Sequence, residues 1–173
     1  MRLTEQVHQK LNATLQPGDT AIDATAGNGH DTLAMAERIG PSGKVVAIDL
    51  QAAAIASTRA RLADAGHLEQ CQLIQGDHAD VLHTLLPGHS ASVAAITFNL
   101  GYLPGGEKTI TTSAETTFHA LETTKSLLKN SGILLVTAYR GHDGGQDEAR
   151  MVESWMQALP KTDWQVEALE PPT

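Results

Sequence analysis

Cysteine is nearly absent from this 173-residue chain: Cys71 stands alone. That excludes an internal disulfide and a cysteine zinc site, and leaves a small side chain in an apolar run. No apolar run approaches the ~20 residues of a membrane-spanning helix, and the opening MRLTEQVHQK is too polar for a secretory signal, so a cytoplasmic protein with no membrane partner is expected. Cations are in the minority, 12 Lys and Arg against 20 Asp and Glu, for a net charge of −8. A protein that coats nucleic acid non-specifically neutralises phosphates with Lys and Arg, so that class is excluded, although a local basic patch is not. The histidines show no tight ligand spacing, and no metal is expected. Repeats, low-complexity segments and long linkers are also lacking, and the length fits a single domain over residues 1–173.

What is present is organised around the stretch from Ile22 to Thr32. A short apolar run ending in Asp23 passes through small residues and glycines into a helical pattern with Leu33, Met35, Ala36 and Ile39. A buried strand therefore hands over to a helix through a glycine turn. Gly27 and Gly29 let the backbone turn sharply and let a ligand approach, and the free amides of the new helix face that ligand. A second apolar run, KVVAID, ends in Asp49 at the distance where an acidic side chain takes both hydroxyls of a ribose.

The rest of the chain alternates in the same way. Val7, Leu11 and Leu15 mark a helix over Thr4 to Leu15, expected beside the first strand. Further helices are read over Gln51 to Ala65, Ala79 to Leu86 and after Thr112, whose spacing to Glu115 is that of a capping box. A last helix carries Val152, Trp155, Met156 and Leu159 on one face. Strands are read at Lys44 to Asp49, Gln70 to Gln75, Ser92 to Phe98 and Ile133 to Ala138, with Trp164 to Leu169 as a sixth. This pattern predicts an α/β fold: a Rossmann-like, mostly parallel sheet with helices on both faces and ligands at the carboxyl ends of the strands.

The unusual chemistry clusters at those ends: Asp23 to Asp31, Asp49, Asp77 and His78, Asn99 to Tyr102, and Tyr139 to Asp143. The turn departs from the dinucleotide fingerprint, since Thr32 replaces the third glycine, and a ligand without a pyrophosphate fits better. S-adenosylmethionine is such a ligand, with its ribose on Asp49, its adenine edge on Asp77 and its amino-acid end around Asn28. Asn99, Leu100, Gly101 and Tyr102 have a spacing resembling the Asn-Pro-Pro-Tyr loop of amino-directed methyltransferases, where carbonyls receive hydrogen bonds from the target amine. His142 with Asp143 either orients substrate or assists proton removal, or forms a loop turn. Asp23 either contacts the ligand or caps the turn.

The strings AIDATAGNGHDTLAMA, AIDLQ, GDH, FNLGYLPGGEK and YRGHDGGQDE together resemble the MnmM (YtqB-like) methyltransferases, a family also labelled rRNA methylases. The resemblance covers nearly the whole chain. It implies a class I, S-adenosylmethionine-dependent methyltransferase that methylates the amine of 5-aminomethyl-2-thiouridine at the tRNA wobble position. The anticodon arm of tRNA is then the partner. By the same likeness Asn28, Asp49, Gln51, Asp77 and His78 line the cofactor site; Asp23, Gly27, Gly29 and Asp31 join them as cofactor-binding candidates from the turn itself. Asn99, Tyr102, Tyr139 and Arg140 face the substrate.

One departure from the family is that the chain stops at Pro171, Pro172, Thr173, where members continue into a strand that completes the sheet. An exposed strand edge follows, with either lower stability or pairing with a second chain into a homodimer as the expected consequence. Other readings stay open: an rRNA or small-molecule methyltransferase on the same fold, an NAD-binding oxidoreductase, or a cofactor-binding subunit without activity.

Overall fold

The computed structural model describes residues 1–101 and 112–171. Its strands are β1 Thr20–Asp23, β2 Lys44–Asp49, β3 Cys71–Gln75, β4 Val93–Leu100 and β5 Leu128–Ala138. Its helices are α1 Leu3–Thr14, α2 His30–Ile39, α3 Ala52–Asp64, α4 His78–His89, α5 Ala114–Leu127 and α6 Gly145–Gln157. The strands form one parallel sheet in the order β3-β2-β1-β4-β5.

Alternate strand residues feed two cores, as a sheet covered on both faces requires. On one face Ile22, Val46, Ile48, Ile96 and Phe98 pack against Leu82 of α4, Leu121 of α5 and Trp155 of α6. On the other, Ala21, Val45 and Ala95 pack against Leu11 of α1, Met35 and Ile39 of α2 and Leu62 of α3. Because β1 lies between β2 and β4, the winding reverses at the β1–β4 pair. A crevice opens at the carboxyl ends of the strands at such a switch point.

Three local expectations are corrected. Trp164 to Leu169 is not a strand: the Trp164 amide donates to the Pro160 carbonyl at 2.9 Å, and the segment after it runs along α1, where Lys10 pairs with Glu167 at 2.7 Å. Pro87 does not end α4, which continues to His89, since a proline in the last turn keeps a helical φ and forfeits few bonds. The cap of α5 is Ser113, whose hydroxyl accepts the Thr116 amide at 3.3 Å, while the Thr112 hydroxyl is committed elsewhere.

Candidate functional site

The turn after β1 is held from below and from outside. Asp23 is fully buried beneath it, accepting the Thr32 hydroxyl at 2.7 Å and the Thr25 amide at 3.3 Å. Burial, reinforced by the charge of Asp31, pushes the Asp23 carboxyl from an ordinary 3.8 up to about 7. From outside, α3 closes on the turn: the Thr58 hydroxyl donates to the Gly27 carbonyl at 3.1 Å and the Arg61 Nε donates to the Asn28 carbonyl at 2.7 Å. Gly29 caps α2 with φ +84°, and a Cβ there would lie 2.9 Å from the Thr58 Cα. Only glycine meets both constraints.

Asp49 is tied to this turn by its backbone neighbours. Its Oδ2 accepts the Gly27 amide at 2.9 Å and its Oδ1 accepts the Gln51 amide at 2.9 Å. Each oxygen keeps a lone pair for a further donor, so the carboxylate is fixed in orientation and still able to accept two hydroxyls. At the end of β3, Asp77 caps α4 through the Ala79 amide at 2.8 Å. His78 follows, buried edge-on against Phe98 with ring centroids 5.5 Å apart. Burial lowers the His78 pKa, which favours the neutral ring.

The fourth strand supplies the opposite wall. The Asn99 amide donates to the Thr25 hydroxyl at 2.6 Å, and the Asn99 Nδ2 donates to Asp31 Oδ2 at 2.7 Å. The other oxygen of Asp31 receives His8 Nε2 from α1 at 2.8 Å. Tyr139, half exposed at the end of β5, stands on the same side. Partial burial and the Asp31 charge raise its phenol pKa.

These walls enclose a cavity of about 310 Å³, the size of a small-ligand site. Gly27, Asn28, Asp31, Asp49, Gln51, Asp77 and His78 line it from the first three strand ends, and Asn99, Gly101, Thr112 and Tyr139 from the last two. Other expected site residues lie off its walls. Asp23 and Gly29 build the turn, and Arg140 is engaged with Glu153 on the surface. His142 packs behind Gly101 and Gly145, where an added Cβ on Gly145 would come within 2.9 Å of its Nε2. Tyr102 lies outside the described residues. Among those residues no three His, Cys, Asp or Glu stand together as metal ligands.

Three participants escaped the sequence reading. His8 carries no motif and reaches the site only because α1 crosses the sheet end. Thr25 is one more small residue of the turn. Glu148 is buried on α6 at 1% exposure and accepts the Thr112 hydroxyl at 2.5 Å and the Thr117 hydroxyl at 2.8 Å. Its place in the string GHDGGQDE was the available signal.

A parallel sheet in this order, with an acidic residue fixed at the end of β2 and an Asn at the end of β4, defines a Rossmann-like domain of the class I methyltransferase type. The chain belongs to the family described as "Putative rRNA methylase", whose model matches residues 45–172. A protein of Clostridium thermocellum with the same description superposes with a TM-score of 0.87 at 34% identity, over 94% of this chain and 85% of that one. A Streptococcus mutans protein described as a methyltransferase, solved in complex with SAH, superposes with a TM-score of 0.81 at 28% identity, over 99% of this chain and 94% of that one. The tRNA (mnm(5)s(2)U34)-methyltransferase, chloroplastic, of Arabidopsis thaliana is 40% identical over 170 residues, 94% of this chain. The chain spans 62% of that relative's length.

Proposed function

We propose that the protein is an S-adenosylmethionine-dependent methyltransferase that transfers a methyl group to the amine of 5-aminomethyl-2-thiouridine at the wobble position of tRNA. The observation that carries this reading is one cavity with two chemically different halves, a ribose-type acidic anchor at Asp49 and a carboxamide at Asn99. The Arabidopsis relative carries that activity in its name.

The residues fit the cofactor. Asp49, held by two amides, accepts the ribose hydroxyls, and Asp77 keeps a second carboxylate oxygen for an exocyclic amine. The neutral ring of His78 adds a flat wall, and Asn28 and Gln51 add polar edges. S-adenosylmethionine supplies a methyl carbon on a cationic sulfur, open to in-line displacement by a lone pair. The chain has only to hold that lone pair in line, which is why no covalent nucleophile is needed. The thiol of Cys71, which burial pushes up to about 11, offers none. Asn99 accepts a hydrogen bond from the neutral amine and so orients its lone pair. Tyr139 offers a ring face to the base, Arg140 stands on the surface beyond it, and His142 is packed behind Gly101.

The anticodon arm approaches from this side in the proposed complex, in a cytoplasmic setting. The outer edge of β5 supports homodimer formation, because among the described residues β5 pairs only with β4. No helix among them is long and apolar enough to cross a membrane. The test is incubation with labelled S-adenosylmethionine and tRNA carrying the 5-aminomethyl-2-thiouridine precursor, followed by nucleoside mass spectrometry. A methyl gain on that nucleoside is expected. Transfer to rRNA instead, the reading favoured by the family's description, would overturn the substrate and keep the chemistry.

A further inference from the structure

We infer that Asp31, braced by His8, is a positioning residue that fixes the Asn99 carboxamide with its nitrogen turned inward and its oxygen presented to the acceptor amine. The inference rests on the proposed function and assigns a role to a helix that the sequence reading left out of the site. Three elements meet here: His8 of α1 at 2.8 Å from Asp31 Oδ1, Asp31 in the first turn of α2, and Asn99 of β4 at 2.7 Å from Asp31 Oδ2. The Asp31 side chain is 9% exposed and that of His8 30%, so the brace is set into the wall of the cavity.

The chemistry of the bond decides the orientation. An ionised carboxylate only accepts, so the carboxamide end that faces it must be the NH₂, and the oxygen must face away. This matters because the terminal torsion of an Asn side chain is broad and roughly two-fold, leaving both ends nearly equivalent without a partner. The flipped carboxamide would offer N–H to an amine whose attacking lone pair has to stay free for the methyl carbon. Asp31 selects the productive flip. His8 does not line the cavity itself, and its side-chain hydrogen bond in the wall is to Asp31.

The test uses the full chain and four variants: His8→Ala, His8→Gln, Asn99→Ala and the double variant His8→Ala/Asn99→Ala. SAH binding is followed by calorimetry and methyl transfer to precursor tRNA by initial rate. His8→Ala should lower kcat about ten- to a hundredfold, the scale of a small misplacement of a reacting group. The Kd for SAH and the KM for tRNA should stay within about twofold, and His8→Gln, which restores a donor, should recover most of the rate. The double variant should be no slower than Asn99→Ala alone, since both remove one unit. Independent, multiplying losses, or a His8→Ala defect in SAH binding with kcat intact, would overturn the assignment. A second readout needs no turnover: proton exchange of the Asn99 side-chain amide by NMR, slow in the native protein and faster in His8→Ala. Unchanged exchange would also overturn it. A native protein that transfers nothing to the precursor tRNA but shows the exchange effect would sink the substrate and leave the brace standing.

Discussion

Two aspartates end neighbouring strands in this protein, and their surroundings give them opposite properties. Asp49 faces the cavity with both oxygens steered by backbone amides. Asp49→Ala should weaken SAH binding about ten- to a hundredfold by calorimetry, the effect of losing one or two hydrogen bonds to a charged acceptor. Asn99→Ala should leave that affinity nearly intact while turnover collapses, and unchanged turnover would remove Asn99 from the reaction. Asp23 lies underneath, and its effect is on stability. Its folded pKa of about 7 lies above the ordinary 3.8, so between those values the folded state binds more protons than the unfolded one. This group's contribution is therefore fully present below about pH 4 and is lost as pH rises through about 7. Urea unfolding of Asp23→Asn, which keeps the acceptor for Thr32, should show a smaller fall in stability between pH 5 and pH 7.5 than the native chain. At this scale the sequence revealed that acidic residues end the strands. It could not show which was covered, because the lid over Asp23 is built by Thr25 of the turn and Thr32 of α2.

Elements were legible where one force dominates. The strands with apolar runs buried on both faces, such as β2, stand out because a parallel sheet needs them, and β2 was read to the residue. The misread segment, Trp164 to Leu169, has strand-like alternation, but its Lys10–Glu167 pair and the contact of Trp164 with the core compete with sheet pairing. Residue types alone do not rank those options. Two glycine caps offer an internal control on packing. Gly29 of α2 and Gly144 of α6 share a left-handed backbone, φ +84° and +78°, but a Cβ would strike Thr58 at the first and nothing within 4 Å at the second. Gly144→Ala should cost about 1–2 kcal/mol from backbone strain, and Gly29→Ala about 2–4 kcal/mol because the clash adds to it. Thermal melting of the two variants should preserve that ranking. Equal losses would mean that α3 yields freely and does not hold the turn.

For the whole molecule, charge is the quantity to follow. With a net charge of −8, and with Lys10, Lys125, Lys129 and Arg140 among the 12 Lys and Arg already engaged by carboxylates, the remaining cations face an excess of acidic side chains. Binding of precursor tRNA, followed by anisotropy from 50 to 200 mM salt, should therefore show a shallow slope, on the order of three counterions or fewer. A steep slope would place a basic surface outside the described residues or on a second subunit. The two halves of the cavity meet where the sheet reverses, joined by the Asn99–Asp31 and Asn99–Thr25 bonds and by the Ala24 amide on the Thr97 carbonyl at 2.9 Å. In the proposed reaction the donor of the transferred group is thus read by β1 to β3 and the recipient by β4 and β5. Such a division would make the domain modular in the evolutionary sense: exchanging the loops after β4 and β5 for those of a relative with another substrate should change the recipient while SAH affinity, followed by calorimetry, is kept. Asn99 lies within β4 itself, so such an exchange leaves its carboxamide docked on Asp31.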